Sequence, residues 1–476
     1  MRNFLAAAAA LALGACATAS ADSPRTASDS SASSESVPTI DRNPYPSTYR
    51  PYGSVPTLIT NANIYDGAGN ALMGGQVLMQ DGKIAAIGQS VDAPADATRI
   101  DAAGKWVTPG VIDVHSHLGN YASPGVAALS DGNEISGPVT AEVHAEHGIW
   151  AQDPGFLRAL AAGVTTLHVL PGSANLFGGR GVTLRNVPST TVQGMKFPGA
   201  KYSLKMACGE NPKRVYGSRG RMPSSRMGNF ALYRMTWQKA VEYDRKWDRW
   251  DEKVEDGTAK AKDMPTRDLQ MDTLRGVLDG DILLEQHCYR ADEMAFILDM
   301  AKEFGYHVAA FHHAVEAYKI APMLAEANTC AAMWADWWGF KMESYDGIGE
   351  NIPFVEAAGG CAITHSDDDL GIQRLNQETA KAMADGNRAG LSIQPETAWT
   401  WIGENAAKAI GLEDEIGSLE VGKRADVVLW NGEPLSVYAR PEQVWIDGAL
   451  MFDVNRPELR PVSDFELGQP GEGDVK

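Results

Sequence analysis

The sequence predicts an α/β protein: a TIM-like (β/α)8 barrel with a small discontinuous β-sandwich formed by its N- and C-terminal segments. Three observations carry this. Through the middle of the chain, apolar strand-like runs such as "GVIDVHSH", "GVTTLHVL", "DILLEQHC", "YHVAAFHH" and "CAITHSD" alternate with amphipathic stretches such as "ADEMAFILDMAKEFG" and "VEAYKIAPMLAEA". That is the rhythm of βα units feeding a mostly parallel sheet. The middle is roughly 300 residues long, which suits a closed eight-stranded barrel. Both ends have another texture, of short strands separated by turn residues.

Taken in order, residues 1–16 read as a lipoprotein signal peptide. "MRNFLAAAAALALGAC" has a short basic start, an apolar segment, and then Leu13-Gly14-Ala15-Cys16, which resembles the lipobox of bacterial lipoproteins. This predicts export, with Cys16 as the lipidated first residue of the mature chain and the membrane met only through that anchor. Ala17 after it favours the outer membrane, facing the periplasm. Cleavage after "ASA" at 19–21 is the alternative and gives a soluble periplasmic protein. Residues 17–52 are Ser/Thr/Pro-rich and read as a flexible tether. Residues 53–107 form the first part of the sandwich, with Asp81-Gly82 between two apolar-alternating arms as a hairpin signal. Residues 108–415 are the barrel. Within it, 237–270, with "EYDRKWDRWDEK", are too polar for a barrel strand and read as an inserted, exposed helix and loop whose charges form a solvated face. Residues 416–465 complete the sandwich, with a second Asp-Gly pair at 447 and 448, and 466–476 are a tail.

Composition limits the partners. A chain of 476 residues with 44% hydrophobic content can bury one large core and a smaller one. Its 42 basic and 61 acidic residues give a net charge of −19 with no long basic run, which excludes nucleic acid as a partner. The expected partner is a small-molecule substrate, and the oligomeric state, a homo-oligomer included, stays open. Cys208, Cys288, Cys330 and Cys361 are too widely spread for a small disulfide scaffold; an oxidising compartment permits a bridge and nothing in the spacing demands one.

Chemistry in such a barrel gathers at the carboxyl ends of its strands. In "TPGVIDVHSHLG" alternation puts Asp113, His115 and His117 on one face, so both imidazoles can reach one ion. A His-x-His pair alone is a weak signal, but three later strand ends are of the same kind: His287 in "LLEQHCYRADEM", His313 in "FHHAVEAYK" and Asp367 in "ITHSDDDL". Imidazole nitrogen and carboxylate oxygen are the ligands zinc-like ions take, with one position left for water. By the same alternation His312 and His313 cannot both face inward; His313 shares parity with Phe311 and His307, which leaves His312 packed or behind the ligands. His365 lies one step deeper than Asp367, placed to orient it or a ligand. His144 and His147 read as part of a helical stretch away from the strand ends. In "PGSANLFGGRGVTLR", Gly178, Gly179 and Gly181 allow close backbone approach to a ligand, and Arg180 among them is a candidate to polarise a carbonyl or clamp a substrate carboxylate; a tight turn with an exposed arginine is the competing reading. Arg214 and Tyr216 are further substrate-binding candidates.

From "ITNANIYDG" through "TPGVIDVHSHLG", "AAGVTTLHVLPGSANLFGGRG", "HCYRADEM", "HHAVEAYK" and "HSDD" to "GSLEVGKRADVVLW", the chain resembles the amidohydrolase superfamily of metal-dependent hydrolases, in its imidazolonepropionase-like and prolidase-like branch. The resemblance implies one or two divalent ions, Zn2+ or another metal, and hydrolysis of carbon–nitrogen bonds. It implies His115 and His117 as first-strand ligands, His287 and His313 as fifth- and sixth-strand ligands, and Asp367 as an eighth-strand ligand that also shuttles the proton. In "SLKMACGEN" it implies that Lys205, carboxylated, bridges two metals. The chain departs from the pattern at Gly209-Glu210-Asn211, where prolidase-like members carry a glycine pair, so Glu210 stands as an alternative ligand and a Lys205–Glu210 ion pair as the purely structural alternative. The activity so implied is cleavage of an amide or peptide-like bond in a dipeptide or N-acyl amino acid by metal-activated water. A cyclic-amide hydrolase, deaminase or lactonase of the same superfamily is the first alternative, and a non-catalytic envelope binding or scaffold protein the second.

Overall fold

The computed structural model describes residues 43–459. The predicted signal peptide with Cys16, most of the predicted tether and the tail lie outside these residues. Strands β1 (Thr57–Tyr65), β2 (Ala71–Gln80), β3 (Lys83–Gly88), β4 (Thr98–Asp101) and β5 (Trp106–Pro109) precede the barrel, and β14 (Val427–Trp430), β15 (Pro441–Ile446) and β16 (Ala449–Asp453) follow it. The two ends join where β5 pairs antiparallel with β14. Both Asp-Gly pairs are hairpin turns: Asp81 and Gly82 have φ of 52° and 75°, Asp447 and Gly448 49° and 72°, the left-handed pair that a type I′ turn requires. The terminal segments form one continuous eight-stranded sheet, because β1 forks, with Thr57–Thr60 against β4 and Asn63–Ile64 against β5. Ile59, Ile64, Val77, Met79, Val427 and Trp445 belong to the core of its own that this sheet encloses.

The barrel strands β6 (Val111–Ser116), β7 (Val164–Val169), β8 (Phe177–Arg185), β9 (Ser203–Ala207), β10 (Leu283–Cys288), β11 (Ala310–His313), β12 (Cys330–Met333) and β13 (Ala362–Thr364) lie side by side in sequence order. Every residue of β6 to β9 and of β11 to β13 is buried, the mark of strands covered on both faces. Beyond the ends of the ladder, the Asp367 amide donates to the His115 carbonyl at 3.0 Å and the Ser366 amide to Asp113 Oδ1 at 3.2 Å, which draws the eighth strand to the first. One strand departs from the parallel pattern. β8 runs antiparallel to both β7 and β9. Residues 170–176, all that separate β7 from β8, are too few for a parallel crossover, which needs roughly a dozen or more.

The insertion is more than a solvated face. Helix Arg226–Glu255 buries Tyr233, Trp237, Ala240, Tyr243, Trp247 and Trp250, a stripe repeating every three or four residues. Its acidic side also has a partner: Asp244, Asp248 and Asp251 meet Arg275 of helix Leu269–Leu278 at 3.0, 3.0 and 2.8 Å. Residues 43–52, expected to be tether, are strapped to the body instead. The Thr48 amide donates to the Gln193 carbonyl, Lys196 Nζ to the Tyr45 carbonyl, and the Tyr49 hydroxyl to Asp447. Asp447 also lies 3.3 Å from Arg185, which is fully buried at the end of β8 and holds Asp426 with two parallel N–H···O bonds. Strap, barrel and terminal sheet therefore meet at one charged junction.

All four barrel cysteines are paired. Cys208 bonds Cys288 and Cys330 bonds Cys361. Sequence spacing hides this because the pairs lie 80 and 31 residues apart, while lateral strand neighbours bring their Cα atoms to 5.2 and 4.5 Å.

Candidate metal centre

The first strand delivers His115 at its penultimate residue and His117 just past its end. His115 Nε2 and His117 Nε2 lie 3.3 and 3.1 Å from Asp367 Oδ1, and Asp367 Oδ2 is 3.8 Å from His313 Nδ1. His365 Nε2 is 3.0 Å from His313 Nδ1. The His287 ring is centred 4.6 Å from that of His313. Two overlapping groups, His115–His117–Asp367 and His115–His313–His365, each present one ligand atom per residue within 4.8 Å of the others. The backbone is strained where the ligands turn in: His313, Ala314 and Asp367 have φ of 69°, 36° and 56°. A left-handed conformation at such residues costs of order 1–3 kcal/mol each and gathers at functional sites.

Hydrogen counting tests whether these residues fit a cation. The Leu170 carbonyl, 2.8 Å from His117 Nδ1, can only accept, so Nδ1 carries the hydrogen and neutral His117 has a bare Nε2. That lone pair faces a carboxylate oxygen at 3.1 Å, an arrangement made favourable only by a shared cation, proton or metal. His287 is buried with neither ring nitrogen in a hydrogen bond among the described residues. Burial, together with Lys205 and the other imidazoles, pushes His115, His287 and His313 well below the usual histidine range, so they stay neutral, the state that binds a metal. The residues fit. The cluster is open to solvent at Asp367 and His117, whose side chains are 23% and 17% exposed against 1% for His115.

Lys205 stands on the inner face of β9 with Nζ 3.2 Å from His115 Nε2 and 3.2 Å from the Pro171 carbonyl. Burial lowers its ammonium to about 8. Glu210 is not beside it. The Glu210 carboxylate lies 3.6 Å from Lys341, on the rim, and no Lys205–Glu210 ion pair forms. Arg180 is also elsewhere. On β8, Gly179 pairs with Lys205 while Arg180 pairs with Leu204, so Arg180 points out of the barrel, its Nε donating to Thr273 Oγ1 at 2.8 Å and its guanidinium 5.5 Å over the Tyr202 ring. Tyr216 is buried with its hydroxyl on the Gly137 carbonyl, and Arg214 is exposed on the short helix Glu210–Gly217. His144 precedes and His147 ends a short 3-10 helix, Ala145–His147, away from the strand ends, and both rings pack on Tyr45 of the strap.

His312 and His313 both reach the interior. His312 Nδ1 is 2.8 Å from His115 Nδ1 and its Nε2 is 2.6 Å from Glu285. Alternation assigns inward only one of two consecutive residues; the left-handed backbone at His313 breaks it and returns the second ring to the site. Sequence reasoning passed over Glu285 and an aromatic rim. Trp334, just past β12, stacks on His313 with centroids 4.3 Å apart; Trp337 stacks on Trp334, Phe340 meets it edge-on, and Lys341 Nζ sits 4.1 Å above the Tyr289 ring. Three tryptophans and a phenylalanine within "WADWWGF", straight after a strand run, were the available signal.

Comparison with known proteins agrees with this geometry. A family model described as the amidohydrolase family matches residues 367–452, the segment that contains Asp367. The crystal structure of an amidohydrolase from Thermotoga maritima MSB8 is 34% identical, superposes with a TM-score of 0.76, and is covered over its whole length by 83% of this chain. Amidohydrolase tasK of Hapsidospora irregularis is 32% identical over 448 residues, 87% of this chain; the chain spans 45% of that relative's length. A candidate prolidase from Bifidobacterium longum, 16% identical with a TM-score of 0.50 over 84% of this chain and 95% of its own, shares the fold alone. Fold and site define an α/β barrel with a candidate metal centre at its strand ends. The chain belongs to the amidohydrolase superfamily.

Proposed function

We propose that this chain cleaves a carbon–nitrogen bond, in a dipeptide or N-acyl amino acid, with one or two divalent ions such as zinc. The observation that carries the reading is the convergence of imidazole nitrogens on Asp367 from two other strand ends, His115 and His117 from the first barrel strand and His313 from the sixth. His115, His117, His287, His313 and Asp367 would hold the metal, with Lys205 joining them once its amine is carboxylated and His365 steadying His313. Bound there, a divalent ion supplies Lewis acidity, polarising the scissile carbonyl and acidifying water. Asp367 is the group at the open face. Its carboxylate takes a proton from the attacking water and delivers it to the leaving nitrogen.

The rim supports a substrate with an apolar portion. Trp337, Trp338 and Phe340 are 40%, 49% and 57% exposed beside Trp334, an apolar surface continuous with the cluster. Lys341 stands among them as the cation for a substrate carboxylate, the role foreseen for Arg180. Export is part of the proposal: two cross-links in the barrel suit an oxidising compartment, and the N-terminal segment resembles a lipoprotein signal.

The test is turnover of zinc-, manganese- or cobalt-loaded protein on dipeptides, N-acyl amino acids, cyclic amides and lactones. Apolar dipeptides or N-acyl amino acids are expected to lead. Asp367→Asn should lower kcat by roughly 10²- to 10⁴-fold with metal content largely retained. Near-parental turnover in that variant removes Asp367 from the chemistry, and protein with no metal and no affinity for one favours a scaffold.

A further inference from the structure

We infer that the rim is a subsite for the leaving residue of the substrate and selects an aromatic amino acid there, with Lys341 taking its carboxylate and Trp337 and Phe340 its ring. The inference rests on the hydrolase reading of the adjoining centre. Two indoles continue the plane of a candidate ligand outward. Trp334 stacks on His313 with centroids 4.3 Å apart and planes 25° from parallel, and Trp337 stacks on Trp334 at 5.3 Å and 27°. The outer indole is exposed, as is Phe340, which meets Trp334 edge-on at 5.9 Å. A planar ring completes such a stack better than an aliphatic chain, because ring pairs gain from their geometry as well as from burial. The segment that carries these rings is tied down. Trp334 Nε1 donates to the Ser366 carbonyl at 3.2 Å, the Gly339 amide to the Ser344 carbonyl at 2.9 Å, and the Glu343 carboxylate accepts from the Glu210 amide at 3.0 and 3.2 Å. Rings already held in place lose little freedom when a ligand arrives.

Lys341 supplies the charge. Its ammonium lies 4.1 Å from the centre of the Tyr289 ring and 5.7 Å from that of Phe340, and Tyr289 in turn stacks on His313 at 5.4 Å. The ion pairs of Lys341 with Glu210 and Glu343, at 3.6 and 3.9 Å, are both beyond hydrogen-bond length, so neither carboxylate takes up its hydrogens. Arg214 lies near enough to add its positive field. On a chain of net charge −19, a cationic edge of this kind draws an anion. The chemistry then decides which end of the substrate sits here. In a dipeptide or N-acyl amino acid the free carboxylate belongs to the residue on the nitrogen side of the scissile bond. A carboxylate on Lys341 therefore sets that residue on the rim, and its side chain, borne on the same α-carbon, meets Phe340 and Trp337. Hydrolysis puts the oxygen of water on the acyl carbon and a hydrogen on the nitrogen, releasing a carboxylic acid and the free aromatic amino acid.

Binding of N-acetyl-L-phenylalanine, N-acetyl-L-leucine, N-acetyl-L-phenylalaninamide and N-decanoylglycine to the full chain, metal-free and zinc-loaded, is measured by calorimetry, and the same compounds are assayed for turnover. N-acetyl-L-phenylalanine should bind about 2- to 10-fold more tightly than the leucine compound. It should bind about 10- to 100-fold more tightly than its own amide, which lacks the charge that Lys341 meets. Lys341→Met should bind acid and amide alike yet still prefer phenylalanine to leucine. Trp337→Ala should do the reverse, keeping acid over amide and losing most of the ring preference; the two variants answer separately, so one that fails to fold leaves the other decisive. The subsite is overturned if the parent binds the phenylalanine and leucine compounds equally, or acid and amide equally, or if neither form binds any of them. Tightest binding of N-decanoylglycine, lost in Trp337→Ala, would give the rings to the acyl group and overturn it as well. The expected ranks without turnover in any metal-loaded form would uphold the subsite and remove the hydrolase reading, whereas turnover without those ranks would do the opposite.

Discussion

Glu293, on the helix Ala291–Phe304, is 1% exposed, and neither carboxylate oxygen has a hydrogen-bond partner among the described residues. Desolvation and then the neighbouring Glu343 raise its pKa to about 7, against the opposing pull of Arg226, 3.8 Å away. A carboxyl whose folded pKa is raised stabilises the fold fully below its ordinary value near 4.5, and that contribution is lost as pH rises through 7. The shift corresponds to up to about 3 kcal/mol. Glu293→Gln should therefore melt above the parent at pH 8 and near it at pH 4.5; thermal denaturation across that range checks this, and parallel curves would contradict it. At this scale the candidate cluster was legible because several histidines and an aspartate fall together at strand ends. His115, His117, His287, His313 and Asp367 do converge. Side-chain direction was legible only where the backbone is regular: alternation put Asp113, His115 and His117 on one face, but it took His313 as the inward residue and set His312 aside, since a φ of 69° at His313 leaves no trace in composition. Arg180 was misplaced for a related reason, as flanking glycines show freedom and not which face a strand turns to the core.

Among elements, the strands and hairpins were the readable part. Apolar runs found the strands that carry the ligands, and Asp-Gly pairs found two turns. The antiparallel course of β8 and the buried stripe of helix Arg226–Glu255 were harder, because the first depends on the length of a connection and the second was masked by dense charge. Disulfide pairing is likewise a property of lateral strand neighbours, invisible along the chain. Cys208–Cys288 joins the segments after Lys205 and beside His287, and Cys330–Cys361 ties β12 to the strand that leads to Asp367. Closing loops of this size contributes about 2–4 kcal/mol each. The Cys330→Ser/Cys361→Ser protein should unfold at lower denaturant concentration than the parent in oxidising buffer and match it under reductant. Equal midpoints in oxidising buffer would mean that the bridge constrains little.

Across the whole molecule, the terminal sheet and strap brace the barrel from outside the site. Arg185, Asp426, Asp447 and Tyr49 join all three at one buried junction, and removing one member of a buried pair costs about 3–5 kcal/mol. Arg185→Ala should therefore lower the unfolding midpoint strongly while metal affinity in the folded fraction stays near parental; loss of affinity with stability intact would show that the junction shapes the site. The central claim is that one cation is shared by groups distant in sequence. Anomalous diffraction from zinc-loaded crystals, recorded on both sides of the zinc absorption edge, tests it most directly. The expected result is a peak roughly 2.0–2.2 Å from His115 Nε2, His117 Nε2 and a carboxylate oxygen of Asp367. Zinc bound only away from these three, or no peak from protein saturated with zinc, would contradict it.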